Sequence, residues 1–179
     1  MFESNLILPG LLGLAAYLLG SIPTAYLLAR WTRGIDIRRV GSKNVGALNA
    51  LHQVGTFGGL AVLAVDTAKG ALAVLVPVLL GAPVWTCYLT GVLVVAGHNW
   101  SVFLRFGGGK GAATILGISL VILPQLTLIA LALTLLLILL TRNVVIGVGV
   151  GFILVNALAV ATGQAPDQVA LCILLSLMV

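Results

Sequence analysis

Two glycine-containing loops carry most of the polar chemistry in this sequence. The first, Gly41-Ser-Lys-Asn-Val-Gly-Ala-Leu-Asn49, follows a run of basic residues. Glycines let a backbone approach a ligand closely, and successive N–H groups can bind an anion. Ser42 and Asn44 add neutral hydrogen-bonding groups, while Lys43 and Arg38 add positive charge. Composition alone leaves two interpretations equally open: an anion-binding loop, or a turn followed by a capped helix.

The second loop, Gly97-His-Asn-Trp-Ser-Val-Phe-Leu-Arg-Phe-Gly-Gly-Gly-Lys-Gly111, ends in glycines around a lysine. The helix-forming Ala-Ala-Thr that follows predicts an anion site at a helix N-terminus. Lys110 would supply the charge, and the amides of residues 108–111 the directional donors. The spacing differs from that of a P-loop, and no Ser or Thr follows the lysine. A flexible loop at the membrane surface is the alternative interpretation.

Three further ionisable residues lie at or inside apolar stretches. His98 stands at the edge of the second loop, where it is either a base or, as is commoner for a lone histidine, a hydrogen-bonded structural residue. Asp66 and Lys69 are spaced i, i+3 and share one helix face, so they can pair. Ionisable groups inside a span usually face a polar cavity. A structural ion pair and a pair that lines a site are both consistent with this pattern. Nothing in the sequence predicts a metal site.

The elements that must hold these loops are apolar helices. Hydrophobic residues make up 61% of the 179 residues, charged residues only 7%, and mean hydropathy is +1.24. Soluble domains carry about 25% charged residues. The stretch between Glu3 and Arg30 has no charge and can hold the roughly 20 apolar residues that a membrane span needs. We therefore predict an all-α, polytopic integral membrane bundle with about seven spans.

Proline and glycine residues divide the apolar stretches into spans. Pro124 splits the interval before Arg142, because proline lacks a donor and clashes with the preceding helical turn. This split keeps Arg142 on the same side of the membrane as the other cations. Ser21 and Pro23 mark a kink within the first span. The predicted spans are residues 6–30, 56–80, 84–104, 112–123, 125–140, 144–161 and a seventh that begins near Gln168.

The last span and the charge pattern complete the predicted topology. Twelve residues after Asp167 reach about 18 Å, which is less than a full crossing. We therefore expect a single domain over residues 1–179 that is truncated at its C-terminus. Most of the basic residues lie in the two loops, which places the loops in the cytoplasm and the N-terminus outside. The net charge of +5 is assigned to this bias and not to nucleic-acid binding.

The order of these segments resembles the bacterial membrane glycerol-3-phosphate acyltransferases that use acyl phosphate as donor. Gly20-Ser-Ile-Pro23 matches that family's GSIP, and Asp36 to Asn49 resembles its D-[IL]-R-x-x-G-S-G-N-x-G-A-T-N. Asp66-Thr-Ala-Lys-Gly70 resembles D-x-x-K-G, and Gly97 to Gly111 is similar to G-H-x-[FW]-P-x-F-L-x-F-x-G-G-K-G. Four motifs in the right order form a specific signal, and the family's seven helices agree with the split at Pro124.

The resemblance implies transfer of an acyl group from acyl phosphate to the 1-hydroxyl of glycerol 3-phosphate. The product is lysophosphatidic acid, in the first step of phospholipid synthesis. It also implies a multi-pass protein of the bacterial plasma (inner) membrane whose partners are the two substrates and the lipid bilayer. No cofactor, metal, nucleic acid or protein partner is implied. His98 and Ser42 are the candidate catalytic residues. The candidate substrate-binding residues are Lys110, Gly108, Gly109, Gly111, Asn44, Gly46, Asn49, His52, Arg38 and Lys69.

One departure from the family pattern affects the functional hypothesis. His52 stands where the family has an arginine, and a histidine cannot bind phosphate in the bidentate way that an arginine does. A catalytically silent family member is therefore one alternative. A small transporter of phosphorylated metabolites is another, although the inverted repeats of transporters are not seen in the sequence.

Overall fold

The computed structural model describes residues 6–179, which form helices joined by short loops. Among these described residues there is no strand, and only an isolated bridge joins Ser101 to Gly107. Two short 3₁₀ helices span Ile37–Arg39 and Val102–Leu104. The all-α prediction is confirmed. The α-helices are α1 (Ile7–Ser21), α2 (Thr24–Arg33), α3 (Ala47–Gln53), α4 (Thr56–Leu79), α5 (Val84–Asn99), α6 (Ala112–Ile122), α7 (Pro124–Thr141), α8 (Val144–Ala161) and α9 (Pro166–Leu177).

The predicted first span is two helices. The helix breaks at Ile22, whose ψ of 113° is outside the helical region, because a residue before proline is disfavoured in that region. The kink predicted around Pro23 is therefore present as a full break. The second helix continues to Arg33, beyond the predicted end, and stops at Gly34 with a left-handed φ of 69°. Together the two helices form one apolar stretch of 27 residues.

The third span is shorter than the sequence predicts. Helix α5 ends at Asn99, and the predicted end at Leu104 lies inside the second 3₁₀ helix. The chain leaves the helix at Trp100 because Ser101 pairs with Gly107, where the Ser101 amide donates to the Gly107 carbonyl at 3.3 Å. This local hairpin turns the second loop back towards the end of α5.

The split at Pro124 is confirmed. Helix α6 ends at Ile122, Leu123 leaves the helical region with φ −132° and ψ 59°, and Pro124 begins α7. Proline suits the first position of a helix, where its missing N–H has no partner to lose. The sequence predicts the last helix to begin near Gln168, and it begins at Pro166.

Four stretches of the described residues are long and apolar enough to cross a membrane: Ile7–Arg33, Thr56–Leu79, Pro124–Thr141 and Val144–Ala161. Helices α6 and α9 are apolar but shorter. The total of about seven spans, the last one incomplete, stays a prediction.

The described residues divide into two compact units, one that ends at Ile118 and one over Ser119–Val179. Whether residues 1–179 form a single domain stays a prediction. In the second unit Leu123, Ala159 and Cys172 form a small buried cluster. Asn143 caps α8, where its Oδ1 accepts from the amides of Val145 and Ile146 at 3.0 and 3.1 Å.

The first unit is held together by close helix crossings at glycines. A Cβ on Gly20 of α1 would overlap the Val94 carbonyl of α5, and one on Gly97 of α5 would overlap the Tyr17 carbonyl of α1. Helices α4 and α6 repeat the arrangement with another pair of glycines, Gly70 and Gly117. Such small residues let the backbones of apolar helices approach closely.

A buried cluster lies beneath both predicted loops. From here on, the first loop means residues 34–46, the whole connection between α2 and α3. It contributes Ile37 and Val45 to the cluster, and the second loop contributes Leu104. They pack with Ala25, Ala29, Ala50 and Val62 of helices α2, α3 and α4. The loops are therefore anchored to the same helices, which fixes their positions relative to one another.

Candidate active site

Asn49 holds the first loop in shape. It lies in α3 and is 1% exposed. Its Nδ2 donates to the carbonyls of Ile37 and Val40, both at 3.2 Å, and to that of Asn44 at 3.0 Å, while its Oδ1 accepts from the Ser42 amide at 3.2 Å. An asparagine amide offers two donor hydrogens and one acceptor oxygen. Both ends of the Asn49 amide therefore act on the loop backbone in this structure.

The tip of the first loop and the end of α3 face solvent. Ser42, Lys43 and His52 are exposed. Gly41 has a φ of +57°, and a Cβ there would overlap the Asn49 side chain, so this position needs glycine. Lys43 also has a positive φ, of 60°. The exposed groups of this loop are thus held by a turn that α3 supports from below.

Gly46 and Asn44 complete the first loop. Gly46 is buried and is the N-cap of α3, where its carbonyl accepts from the Ala50 amide at 3.0 Å. A Cβ on Gly46 would lie 2.9 Å from Nδ2 of Asn44. The loop therefore closes tightly onto its following helix, although no side chain caps that helix.

Arg38 pairs within the first loop. Its Nε and Nη2 donate to the two carboxylate oxygens of Asp36 at 2.9 and 2.7 Å, and its Cζ lies 4.9 Å from the centre of the Tyr26 ring. The hydrogen bond from Arg38 lowers the pKa of Asp36 to about 2. This candidate substrate-binding residue is therefore occupied by an acid and an aromatic ring.

The glycine run of the second loop packs against the end of α5. The Gly109 amide donates to the His98 carbonyl at 3.1 Å. A Cβ on Gly109 would overlap the His98 ring and would lie 2.7 Å from the Val45 carbonyl, and one on Gly108 would overlap the His98 carbonyl. Only glycine permits this approach. Because Val45 belongs to the first loop, Gly109 marks the place where the two loops meet beside His98.

The run leads into the N-terminus of α6, as the sequence predicts. Gly111 has a φ of +74°, and its carbonyl accepts from the Ile115 amide at 2.8 Å. Lys110 is exposed beside it. The Gly109 amide is already bonded to His98, so in this conformation the remaining amides of the run would have to serve an anion.

His98 lines a small cavity of ≈ 10 Å³. One wall is the break between α1 and α2, residues 20–24, and the other walls come from the two loops. His98 itself is 9% exposed. The loop residues that line the cavity are Val45, Ser101, Leu104 and Gly108.

Asp66 and Lys69 form a buried pair that reaches the break. Lys69 Nζ donates to Asp66 Oδ1 at 2.8 Å, to the Ile22 carbonyl at 2.6 Å and to Thr24 Oγ1. The Thr24 hydroxyl donates in turn to Asp66 Oδ1 at 2.9 Å. An ammonium has three donors, and all three are used here. The geometry therefore favours the structural ion pair of the two interpretations.

Several residues at this site are not among the sequence-based candidates. The Ser101 hydroxyl donates to the Ser21 carbonyl, and the Tyr17 hydroxyl donates to the Trp100 carbonyl at 2.7 Å. Thr24 completes the Asp66 pair. The buried charges in α4 are a signal that a polar partner must exist on a neighbouring helix, but they do not say which residue it is.

The structure thus brings most of the candidates together in the first unit. Contacts run from His98 through Gly109 to Val45, and from there along the first loop to Asn49. His52 lies one turn beyond Asn49, and Lys69 contacts the cavity wall at Ile22 and Thr24. Arg38 does not line the His98 cavity but lines a second pocket, which shares Leu104 with it.

Residues 10–179 match the sequence profile of a family described as glycerol-3-phosphate acyltransferase. The chain belongs to this family. It is 56% identical over 117 residues to glycerol-3-phosphate acyltransferase 4 of Dehalococcoides mccartyi (strain CBDB1), which covers 65% of this chain and 50% of that protein. It is 54% identical over 109 residues to glycerol-3-phosphate acyltransferase 2 of Moorella thermoacetica (strain ATCC 39073 / JCM 9320), which covers 61% of this chain and 56% of that protein.

Two solved structures share the fold. Both are crystal structures of PlsY (YgiH), an integral membrane glycerol 3-phosphate acyltransferase. The glycerol 3-phosphate form aligns with a TM-score of 0.90 at 32% identity over 95% of this chain and 85% of that chain. The lysophosphatidic acid form gives 0.87 at 30% identity, with the same coverage. The family resemblance inferred from the motifs is confirmed. The prediction of a multi-pass membrane protein is also confirmed.

The chain spans about half the length of the curated relatives that it matches. The matched part covers 50% to 61% of the length of each of these relatives.

Proposed function

We propose that this protein transfers a fatty acyl group from acyl phosphate to the 1-hydroxyl of glycerol 3-phosphate, giving lysophosphatidic acid. The observation that carries the proposal is the contact of Gly109 with both His98 and Val45. This contact brings the two candidate anion-binding loops together beside the imidazole of His98. The likeness to a structure in the glycerol 3-phosphate form supports the choice of substrate.

The proposed reaction needs positioning more than a strong acid. The hydroxyl oxygen attacks the acyl carbon, the bond from that carbon to the phosphate oxygen breaks, and phosphate leaves with the electron pair. Phosphate is a stable leaving group, so protonation contributes less than in amide hydrolysis. Holding two anionic substrates together and orienting the hydroxyl are the main tasks. The hydroxyl proton goes to His98 or to a phosphate oxygen of the substrate.

The proposed roles divide between the two loops. Lys110 and the amides of Gly108 and Gly111 bind one phosphate at the N-terminus of α6. Ser42 and His52 bind the second phosphate or the glycerol. Asn44, Gly46 and Asn49 give the first loop the shape that presents these groups, and Asn49 acts through its bonds to the loop backbone.

Two candidates from the sequence have more indirect roles in this proposal. Lys69 fixes the break between α1 and α2, which forms one wall of the cavity that His98 lines. Arg38 fixes Asp36 at the base of the first loop. Both side chains are engaged by protein groups in the structure, which supports these assignments.

We also propose the orientation that the charges favour. The basic loop after α2 and the glycine loop before α6 face the cytoplasm of a bacterial plasma membrane, and the N-terminus lies outside. Acyl phosphate reaches the site from the bilayer, and its chain lies along the exposed apolar helix faces.

The test is release of inorganic phosphate from palmitoyl phosphate by the purified protein, with and without glycerol 3-phosphate. Release that depends on the acceptor is expected, and Lys110→Ala should reduce it at least tenfold, since a charge-assisted phosphate contact is worth about 1.5–3 kcal/mol. Arg142→Gln is the matched control, because it removes an exposed cation from the second unit. Absence of release from the folded wild-type protein would refute the enzymatic proposal.

The departure at His52 favours one alternative, a catalytically silent family member. His52→Arg separates the two cases. An active wild type that gains at most a few fold from this change shows that the histidine is tolerated. A silent wild type that becomes active in the variant assigns the loss to His52. A protein silent in both forms would direct attention to the transporter hypothesis, for which uptake of labelled glycerol 3-phosphate into liposomes is the assay.

A further inference from the structure

A second pocket, larger and more open than the His98 cavity, shares Leu104 with that cavity. Its volume is ≈ 600 Å³, and both of its sides are basic. The first loop contributes Arg38 and Arg39, and the second contributes Arg105. The remaining residues that line it are Tyr26, Asp36, Phe103 and Leu104.

The charges of this pocket are not balanced. Asp36 is the only acid among the described residues that line it, and both of its oxygens accept from Arg38. Arg39 stands 3.8 Å from the same carboxylate and its side chain is 85% exposed. Arg105 is exposed and forms no ion pair within the described residues. Two arginines from different loops thus converge on one space with their charge available to an anion.

The backbone under Arg105 is held in an uncommon conformation. Arg105 and Phe106 both have left-handed φ values, 57° and 62°, in a turn closed by the Ser101–Gly107 bridge. Residues other than glycine adopt this region rarely, and such outliers persist where the surroundings fix them, often at ligand sites. The turn directs the Arg105 side chain into the pocket.

The rim of the pocket is apolar and aromatic. Its aromatic lining residues are Phe103, which is 59% exposed, and Tyr26. Phe106 and Trp100, which do not line the pocket, are 65% and 52% exposed close by in the chain. Tyr26 belongs to the apolar stretch Ile7–Arg33, which is long enough to cross a membrane. Aromatic residues next to basic ones at the end of a span are typical of the level of lipid headgroups.

We propose that this pocket binds a phosphate group at the membrane surface, carried by the headgroup of an anionic phospholipid. Arg39 and Arg105 contact the phosphate oxygens, and Phe103 packs against the glycerol and the upper acyl chain of the lipid. Arg38 is held by Asp36 and shapes the floor. The pocket has a different lining from the His98 cavity, with which it shares only Leu104, and the proposal does not depend on the activity.

Free inorganic phosphate shares this chemistry, so the experiment distinguishes the two sources. The full chain in detergent is titrated with dioleoyl phosphatidylglycerol or dioleoyl phosphatidylcholine, and bound lipid is counted by native mass spectrometry. Each titration is repeated with inorganic phosphate as competitor. We expect preferential binding of phosphatidylglycerol that survives millimolar phosphate, because a free anion lacks the apolar contacts at the rim.

The arginine variants decide whether the pocket is responsible. Arg39→Gln and Arg105→Gln should each weaken phosphatidylglycerol binding about fivefold, the effect of one cation near an anionic surface. Arg105→Gly should do the same although it relieves the left-handed backbone, so a loss there cannot be assigned to misfolding. Arg142→Gln is the matched control, with a φ of 53° and the same charge change, and it should change binding less than twofold.

Three outcomes are informative. Preference for phosphatidylglycerol that falls in the Arg39 and Arg105 variants alone supports the lipid site. Equal binding of both lipids together with displacement by phosphate, again dependent on these arginines, assigns the pocket to a free phosphate. An unchanged preference in all variants, or an equal fall in Arg142→Gln, overturns the proposal.

Discussion

Replacing Lys69 by methionine tests whether the buried charges of α4 hold the fold or line the site. The side chains of Lys69 and Asp66 are 4% and 2% exposed, and they are 2.8 Å apart. Methionine keeps the length and the apolar stem of lysine and removes the ammonium. The change deletes the bonds to the Ile22 carbonyl and Thr24 and leaves the Asp66 carboxylate buried with one hydroxyl donor, Thr24.

The expected cost follows from the unpaired carboxylate. Removing one partner of a buried ion pair costs about 3–5 kcal/mol, while replacing both partners by neutral groups is often close to neutral. Polar contacts inside membranes are worth less on average than in isolation, so about 3 kcal/mol is expected for Lys69→Met. Asp66→Asn alone should cost a similar amount. The double variant should recover at least about 2 kcal/mol of the summed loss, as expected for residues in direct contact.

The assay is equilibrium unfolding of the four proteins of this cycle in mixed micelles, beside the KM for glycerol 3-phosphate. A structural pair lowers the free energy of unfolding in both single variants and shows coupling in the double variant. The reasoning is refuted if Lys69→Met unfolds within about 0.5 kcal/mol of wild type and only raises KM. That result would show that Lys69 lines the site and contacts substrate.

Three further predictions concern the crossings, the loops and pH. Gly20→Ala should destabilise the protein by about 1–3 kcal/mol in thermal unfolding, since its Cβ would overlap an α5 carbonyl. Gly10→Ala on the same helix is the control and should be neutral or slightly stabilising, because a Cβ there has nothing within 4 Å. Equal effects of the two changes would contradict the close crossing. Gly109→Ala should lower kcat/KM for acceptor-dependent phosphate release by roughly 5- to 100-fold, from the same overpacking cost, and full activity would show that the loop does not need this contact. Because the pKa of Asp36 in the folded protein lies at about 2, below its ordinary value of 3.8, its pairing with Arg38 stabilises the protein above pH 3.8 and is lost as pH falls towards 2. Asp36→Asn should therefore lower the free energy of unfolding at neutral pH by less than about 1 kcal/mol, because the pair is partly exposed. The difference from wild type should be absent near pH 2.

The helices were predictable where one local cause sets their ends. Pro124 begins α7 as its missing donor and fixed φ require, and α8 begins at the capping residue Asn143. The end of α5 was not predictable in this way. Its apolar pattern continues to Leu104, and the helix stops at Asn99 because Ser101 pairs with Gly107, a contact that depends on the folded turn.

The candidate site shows the same division. The glycines of the second loop were expected to approach an anion, and the structure shows that two of them first approach His98 and Val45. Glycine in a sequence indicates close approach but does not name the partner. The pairing of Arg38 with Asp36 was within reach of the sequence, because an aspartate two residues before an arginine is suited to cap a short turn and to bind its side chain.

The position of His98 follows from the helix crossing that glycines permit. Gly20 brings α1 so close to α5 that a Cβ would lie 3.1 Å from the His98 amide. The break after α1 then lies beside the histidine, and the carbonyl of Ile22 that the break leaves without a helical partner is bonded by Lys69. A wider crossing would separate His98 from this wall, and the second loop, which packs on His98 through Gly109, would move with it away from Val45. The apolar crossing of α1 and α5 therefore determines whether the two polar loops meet, and it places the GSIP segment against the cavity that His98 lines.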